Sequence, residues 1–274
     1  MVRRRDGRRS ELPAYRRMMP FLMRGRNEAA VYFEQTLDVT APLAWLATWN
    51  QAPGEARPKA TIFHVVLHAL AGVLHERPRL NRFAVGRQIY DRHGVFLSFA
   101  AKKAMHDEAP LATVKRRFAP GEDFAAMMRG LHDDVTDARS DRTRPIDREV
   151  DLLLRLPAPV LDLAVGLLRR LDGWGLAPAA LTEHDPMYTS AFVANLGSVK
   201  LDAAFHHLYE HGNCPLFVTV GRVQPRPLVD DAGVVAVRPT LTLRYTFDER
   251  VEDGLYCAHS LELLRTRIEQ LAGC

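Results

Sequence analysis

From Val31 to Val39, apolar side chains recur at every second position (Val31, Phe33, Leu37, Val39, with Gln35 the one polar member), the period of a half-buried strand. The period changes at Thr61. Ile62, Phe63, Val65, Val66, Leu67, Leu70, Val73 and Leu74 form a broad apolar face at helical spacing, which predicts a helix over Thr61 to Arg77, closed by Pro78. A first helix is predicted within Leu12 to Arg26, bent or started near Pro20, and another from Thr40 to about Trp49, with Pro42 in its first turn. Arg87 to Tyr90 and Val95 to Ala101 read as a pair of strands around Asp91-Arg92-His93-Gly94. Phe124, Met127, Met128, Leu131 and Val135 give one face to a helix from about Asp123 to Ala138. The last third returns to strands: Ser190 to Asn195, Leu216 to Val220, Val234 to Val237 and Leu241 to Phe247, with an amphipathic helix over Ser260 to Leu271. Helices and strands mix without a strict βαβ rhythm, so the expected class is α+β with a mixed sheet.

Between about 145 and 187 the pattern becomes Leu-rich. Leu152, Leu153, Leu154, Leu156, Leu161, Leu163, Leu167, Leu168 and Leu171 crowd two short helical stretches divided by Pro157 and Pro159 and ended by Gly173-Trp174-Gly175. Arg155, Asp162, Arg169 and Arg170 interrupt the run too often for a membrane span. Two readings stand: a helical hairpin packed on the body, or a lid or membrane-surface element with Trp174 near the interface.

Composition is ordinary for a globular chain of 274 residues, with 47% hydrophobic and 26% charged residues. The formal charge of +4 is confined to the start, since Arg3, Arg4, Arg5, Arg8 and Arg9 against Asp6 account for the whole excess. Residues 1–11 are therefore expected to be a disordered, solubilising basic arm, and residues 12–274 a single domain. The balanced body argues against a nucleic-acid surface. Cys214, Cys257 and Cys274 lack any CxxC spacing, which fits a reducing, cytoplasmic compartment rather than zinc or a redox pair. His64, His68 and His75 share one side of the Thr61–Arg77 helix without an acid at matching spacing, and are expected to form a solvated polar face rather than a metal site; no metal is expected.

The chemistry concentrates near the C-terminus. Tyr245-Thr246-Phe247 ends a strand, Asp248-Glu249-Arg250-Val251-Glu252-Asp253-Gly254 makes a charged turn, and a helix follows, an arrangement that holds a side chain at a fixed angle. The order Asp-x-Arg-Val-x-Asp-Gly resembles the signature of the catalytic domain of 2-oxo acid dehydrogenase acyltransferases, Asp-His-Arg-x-x-Asp-Gly, and the His-x-x-x-Asp-Gly of chloramphenicol acetyltransferase, of the same superfamily. Further matches follow in chain order. Gln35 to Thr40 resembles the family's first core strand, Phe192-Val193-Ala194-Asn195-Leu196-Gly197 its Thr-Ile-Ser-Asn-Leu-Gly, and Asn213 to Gly221 its Asn-Pro-Pro strand ending in Val-Gly. From Arg16 onward only about Pro145 to Met187 lacks a counterpart.

The resemblance implies a chloramphenicol acetyltransferase-like mixed sheet flanked by helices, a homotrimer with its active channel between subunits, and coenzyme A or acyl-coenzyme A as substrate. It also implies that Arg16 pairs with Asp253 and fixes the loop, that Arg250 keeps the family's arginine, and that Gly254 permits a close turn into the helix. In the family a histidine removes the proton of a thiol or hydroxyl, and a serine stabilises the tetrahedral oxyanion. Here Glu249 stands at the histidine position and Ala194 at the serine position.

Three accounts follow from that replacement. Glu249 is itself the base, a carboxylate made more basic by burial at a subunit interface, with another donor such as Asn195 or Ser190 replacing the serine. Alternatively, the pocket survives in a non-catalytic binding, regulatory or scaffold subunit, or serves another reaction. His206, His207, His211 and His259 are candidates for a displaced base, and the Leu-rich insertion points to a hydrophobic acceptor or a membrane surface.

Overall fold

Pro225 of one strand faces Pro239 of its neighbour in the middle of a long antiparallel ribbon, and this ribbon is the spine of the fold. The computed structural model describes residues 4–51, 58–102, 111–139, 154–230 and 232–271. The ribbon pairs β8 (Leu216–Val229) with β9 (Val235–Asp248). The expected strands Val234–Val237 and Leu241–Phe247 are thus one strand, and the expected Leu216–Val220 continues nine residues further. Each proline has no N–H to give, so the sequence reads as broken there. Pro239 keeps its place because its carbonyl accepts the Val39 N–H at 3.0 Å where the neighbouring strand ends.

That neighbour is β2 (Ala30–Asp38), antiparallel to β9. On the other side β7 (Ala191–Asn195) runs parallel to both β8 and β5 (Val95–Lys102), and β6 (Leu111–Phe118) closes the edge antiparallel to β5. The order is β2-β9-β8-β7-β5-β6, a mixed sheet. Leu37, Leu97, Val193, Val218, Leu243, Tyr245 and Phe247 are buried on one face. The helix α3 (Ile62–Glu76) supplies Val65, Val66, Leu70 and Val73 to that core, with α2 (Thr40–Trp49) and α4 (Phe124–Arg139) beside it and the C-terminal helix closing it. The expected α+β class is what the chain adopts. The opposite face carries a smaller cluster, Phe192, Leu208, Cys214 and Phe217, beneath the 200–214 segment.

The strand β6 escaped the pattern reading because Lys115-Arg116-Arg117 masks the alternation of Ala112, Val114 and Phe118, all buried. The two strands expected to pair around residues 91–94 both exist, but in different sheets. β4 (Gln88–Arg92) pairs instead with β3 (Phe83–Val85) and β1 (Gly7–Arg9). The β3–β4 hairpin turns through Gly86 and Arg87, at φ +56° and +64°, a two-residue turn with the twist that strands prefer.

The strand β1 corrects the expectation of a disordered arm. Gly7, Arg8 and Arg9 pair with Arg92, Asp91 and Tyr90. Arg4 is buried over the rings of Phe83 and Tyr90, donating to Asp6 at 2.9 Å from two nitrogens, to the Asp172 carboxylate at 2.9 Å and to the Asp172 carbonyl at 2.6 Å. A sheet edge and a buried acid were available to it, and neither is visible in local composition.

Asp172 belongs to α5 (Ala158–Gly173), the described part of the Leu-rich insertion; its first stretch, around Leu152 and Leu153, lies outside the described residues. One side of α5 meets the body at Asp172, while Val160, Leu163, Leu167 and Trp174 are exposed. A short α6 (Ala179–Glu183) follows, and Lys115 donates to the Thr182, Glu183 and Asp185 carbonyls at 3.3, 2.7 and 3.2 Å. Among the described residues no helix is long and apolar enough to cross a membrane.

Candidate active site

The motif loop is anchored on several sides. Asp248 ends β9, its N–H given to the Pro215 carbonyl at 2.9 Å, and its side chain is wholly buried. Arg250 answers that charge with two parallel bonds, Nε to Oδ1 at 2.8 Å and Nη2 to Oδ2 at 2.7 Å, while its Nη1 reaches the Arg24 carbonyl at 3.1 Å. Burial opposes the Arg250 charge, but the bonds and charge of Asp248 outweigh it and raise the guanidinium's pKa.

Glu252 holds the loop from below. It is buried among Arg82 at 3.0 Å, Arg79 at 3.3 Å and Arg16 at 3.9 Å. Arg16, on α1 (Ala14–Leu22), is also buried; its Nη2 lies 3.7 Å from Asp253 and its Nη1 donates to the Glu249 carbonyl at 3.0 Å. Asp253 caps the helix α7 (Gly254–Glu269), accepting the Tyr256 N–H at 2.9 Å. That bond first, with the Arg16 charge, holds its carboxyl below the usual range. The final helix therefore begins at the motif, six residues before the expected Ser260. Glu252 is the residue that reading by motif passed over, because its three arginines are far away in the chain and leave no local signal.

Within this frame Glu249 differs from its neighbours. Its N–H is tied to the Ala29 carbonyl at 2.9 Å, but its half-buried carboxylate has no hydrogen bond or ion pair among the described residues. Gly254 is not needed for a tight turn, which corrects that expectation: its φ is not in the left-handed region, and an added Cβ would meet nothing within 4 Å. The space above it is open.

The second part of the expected site lies elsewhere in the chain. Ala194 faces Thr219 on β8, which faces Arg244 on β9. From that row β9 runs about 16 Å further to Glu249 at roughly 3.3 Å per residue, and Ala194 lies two strands, about 10 Å, to the side. One chain does not bring Glu249 and Asn195 together. The hydroxyls near Ala194 are engaged: Thr219 donates to the Ala204 carbonyl at 2.6 Å, and Ser190 accepts the Phe96 N–H at 2.9 Å. Asn195 accepts the Ser198 N–H at 3.2 Å, and its own amide N–H groups have no acceptor among the described residues.

The other candidates are separately occupied. His206 stacks on Phe217 at 3.8 Å with Nδ1 2.7 Å from the His207 carbonyl, and burial lowers its pKa. His211 lies 2.5 Å from Asp185. The α3 histidines are half-buried rather than solvated: His64 accepts the Thr61 N–H at 2.9 Å, while His68 and His75 bond the Glu122 and Phe118 carbonyls at 2.9 and 3.0 Å. No cluster of three metal-ligating side chains occurs among the described residues. Burial raises the pKa of both described thiols, that of Cys257 to about 12, which disfavours the thiolate of each. Two cavities stand out among the described residues. One of about 550 Å³ lies between α3 and the β6–α4 connection, and one of about 170 Å³ lies behind Arg250; neither is lined by Glu249 or Asn195.

No protein-family model and no curated protein matches the sequence. Solved structures do. A probable dihydrolipoamide acetyltransferase from Listeria monocytogenes superposes with a TM-score of 0.63 at 17% identity, over 96% of this chain and 95% of the other. The cubic core of a pyruvate dehydrogenase multienzyme complex gives 0.56 at 16%, over 97% and 93%. A chloramphenicol acetyltransferase gives 0.55 at 11%, over 96% and 99%. The fold is that of the acyltransferase cores. At these identities the likeness extends to architecture over nearly the full length, as the motifs around Asn195 and Asp253 imply.

Proposed function

We propose that the protein is a coenzyme A-dependent acyltransferase working as a homo-oligomer, in trimers as the family resemblance implies, with Glu249 of one subunit as base and Asn195 of a neighbouring subunit as oxyanion donor. The observation that carries this reading is the unengaged carboxylate of Glu249 in a loop whose other acids, Asp248, Glu252 and Asp253, are all committed to arginines or a helix cap. The separation of Glu249 from Asn195 within one chain supports a site completed across an interface. The likeness to a multienzyme core, itself an assembly, points the same way.

In the reaction, the acceptor's hydroxyl or thiol gives its proton to Glu249 and attacks the thioester carbonyl of acyl-coenzyme A. The oxyanion receives the Asn195 amide N–H. Collapse expels the coenzyme A thiolate, which takes the proton back from Glu249. The exposed stripe of Val160, Leu163, Leu167 and Trp174 supports an apolar acceptor or a membrane surface beside the site.

A second reading has its own support. Ala194 offers no hydroxyl and the neighbouring ones are occupied, which suits a homologue that binds without turning over and serves as a regulatory or scaffold subunit. Calorimetry with acetyl-coenzyme A, together with turnover by the wild type and Glu249→Gln, separates the two. Binding with turnover lost in the variant supports the enzyme, and binding without turnover in either supports the subunit. No binding at all removes both.

A further inference from the structure

The cavity behind the motif loop concentrates positive charge. Arg24, Arg26, Arg87, Arg169 and Arg250 line it, against only Asp172 and Glu210. Internal pairing removes part of this imbalance. Arg250 is neutralised by Asp248, and Asp172 by Arg4. Glu210 accepts the N–H groups of Arg26 and Asn27 at 3.2 and 3.0 Å, beside the Arg26 charge. Burial works to raise its pKa, but those bonds and the charges of Arg26 and Arg250 bring the carboxyl below its usual range, so it stays ionised.

Three cations are left at the mouth. The side chains of Arg24 and Arg169 have no hydrogen-bond or ion-pair partner among the described residues, and Arg87 has only the ring of Phe21, at 5.5 Å. Deeper in, Arg26 is 5% exposed and gives its Nη atoms to the carbonyls of Tyr209, Glu210, Ala84 and Gly212. Its buried Nε has no acceptor. Above that buried arginine, the three arginines at the mouth leave the cavity an excess of positive charge that its two acids do not answer, which suits an anion.

The backbone holds the mouth together. A Cβ on Gly86 would stand 2.2 Å from the Gly173 carbonyl oxygen, so α5 rests directly on the β3–β4 turn. That contact puts Arg169 of the helix and Arg87 of the turn at one opening, against their mutual repulsion. A surface selected only for solubility does not need such a contact.

We propose that this cavity binds a phosphoryl group, with Arg24, Arg87 and Arg169 as the recognising residues. Its volume of about 170 Å³ is below the roughly 300–1,000 Å³ of sites that enclose whole small molecules, so it takes a compact anion or the terminal phosphate of a longer ligand. Guanidinium forks suit phosphate oxygens, whereas a carboxylate offers fewer acceptors for three of them. Free inorganic phosphate or diphosphate and the phosphates of coenzyme A share this chemistry.

Calorimetry of the full chain in a non-phosphate buffer tests it, with inorganic phosphate, diphosphate, coenzyme A and dephospho-coenzyme A as titrants. The variants are Arg169→Gln and the double variant Arg24→Gln with Arg87→Gln, and circular dichroism checks the fold of each. Expected is binding of at least one phosphorylated titrant that weakens about tenfold or more in each variant, the worth of a charge-assisted bond. Preference for inorganic phosphate or diphosphate assigns a free anion, and preference for coenzyme A over its dephospho form assigns the 3′-phosphate. No binding of any titrant by the wild type overturns the proposal. Binding of every titrant left untouched by all three substitutions overturns it too, and coenzyme A binding that survives them in that case leaves the acyltransferase reading intact.

Discussion

Arg250 and Asp248 face each other across a single residue with two parallel hydrogen bonds of 2.8 and 2.7 Å, and both side chains are out of solvent. A buried pair adds little when both members are present, since desolvation offsets attraction, but the removal of one member strands a charge. Asp248→Asn is therefore expected to destabilise the chain by about 3–5 kcal/mol, read from the urea midpoint. Arg250→Lys is not a rescue, because an ammonium cannot form the two-pronged pair. Equal midpoints for wild type and Asp248→Asn would remove the pair from the account of the loop's rigidity.

The N-terminal arginines make a second case. Arg4 joins β1 to the end of α5 through Asp172, and its loss leaves that acid buried without its cation. Arg4→Ala is expected to release α5 before it unfolds the sheet, because the sheet core does not pass through Asp172. Trypsin should then cut after Arg169 or Arg170 several-fold faster than in the wild type while the Tm of the main transition moves little. Unchanged cleavage rates would show that α5 is held by other contacts.

How far the chain could be read beforehand follows from where each element's partners lie. The α3 helix and the Asp248–Gly254 turn were legible because their signals are local: an apolar stripe, a polar turn and a following cap. The N-terminal arm was misread because its strand needs the edge of β4 and its arginine needs Asp172, both far along the chain. β6 was hidden by Lys115-Arg116-Arg117, in which Arg116 takes a place on the side of Ala112, Val114 and Phe118 and is paired with Glu122 and Asp134 beyond the strand, and the β8–β9 ribbon was hidden by Pro225, Pro227 and Pro239. The site divides the same way. Asp253 and Arg250 are recognisable by spacing, whereas Glu252 among three arginines and the arginine-lined cavity exist only once β3, β4, α1 and α5 converge.

His64 offers a pH-dependent check on α3. Its half-buried ring accepts the Thr61 N–H, and burial pushes its pKa down to about 4 from an ordinary 6.5. The folded state thus binds fewer protons than the unfolded chain between those values, so the stability from neutral His64 is full above pH 6.5 and is lost as pH falls toward 4. At ~1.4 kcal/mol per pKa unit the limit is about 3 kcal/mol, and partial exposure reduces the expected change to roughly 1–2 kcal/mol. His64→Gln retains an acceptor for Thr61 without titrating. The stability difference between wild type and variant should therefore shrink from pH 7 to pH 5, measured by urea unfolding at each pH; a constant difference would mean that the ring does not titrate in this window.

The proposed division of the active site between subunits makes the strongest demand. Glu249→Gln removes the base and is expected to lower kcat by about 10²–10⁴ with coenzyme A affinity unchanged. Asn195→Ala removes the oxyanion donor, at a cost of about 10²–10³. If the two groups met within one chain, mixing the variants would restore nothing, since every site would lack one of them. Strand spacing sets Glu249 and Asn195 roughly 22 Å apart along one chain, which supports a site completed by a neighbour. Co-expression of the two variants should therefore recover part of the wild-type turnover, because some interfaces then pair an intact Glu249 with an intact Asn195. Co-expressed chains that assemble but show only the residual activity of the single variants would refute the shared site, and with it the role given to Asn195.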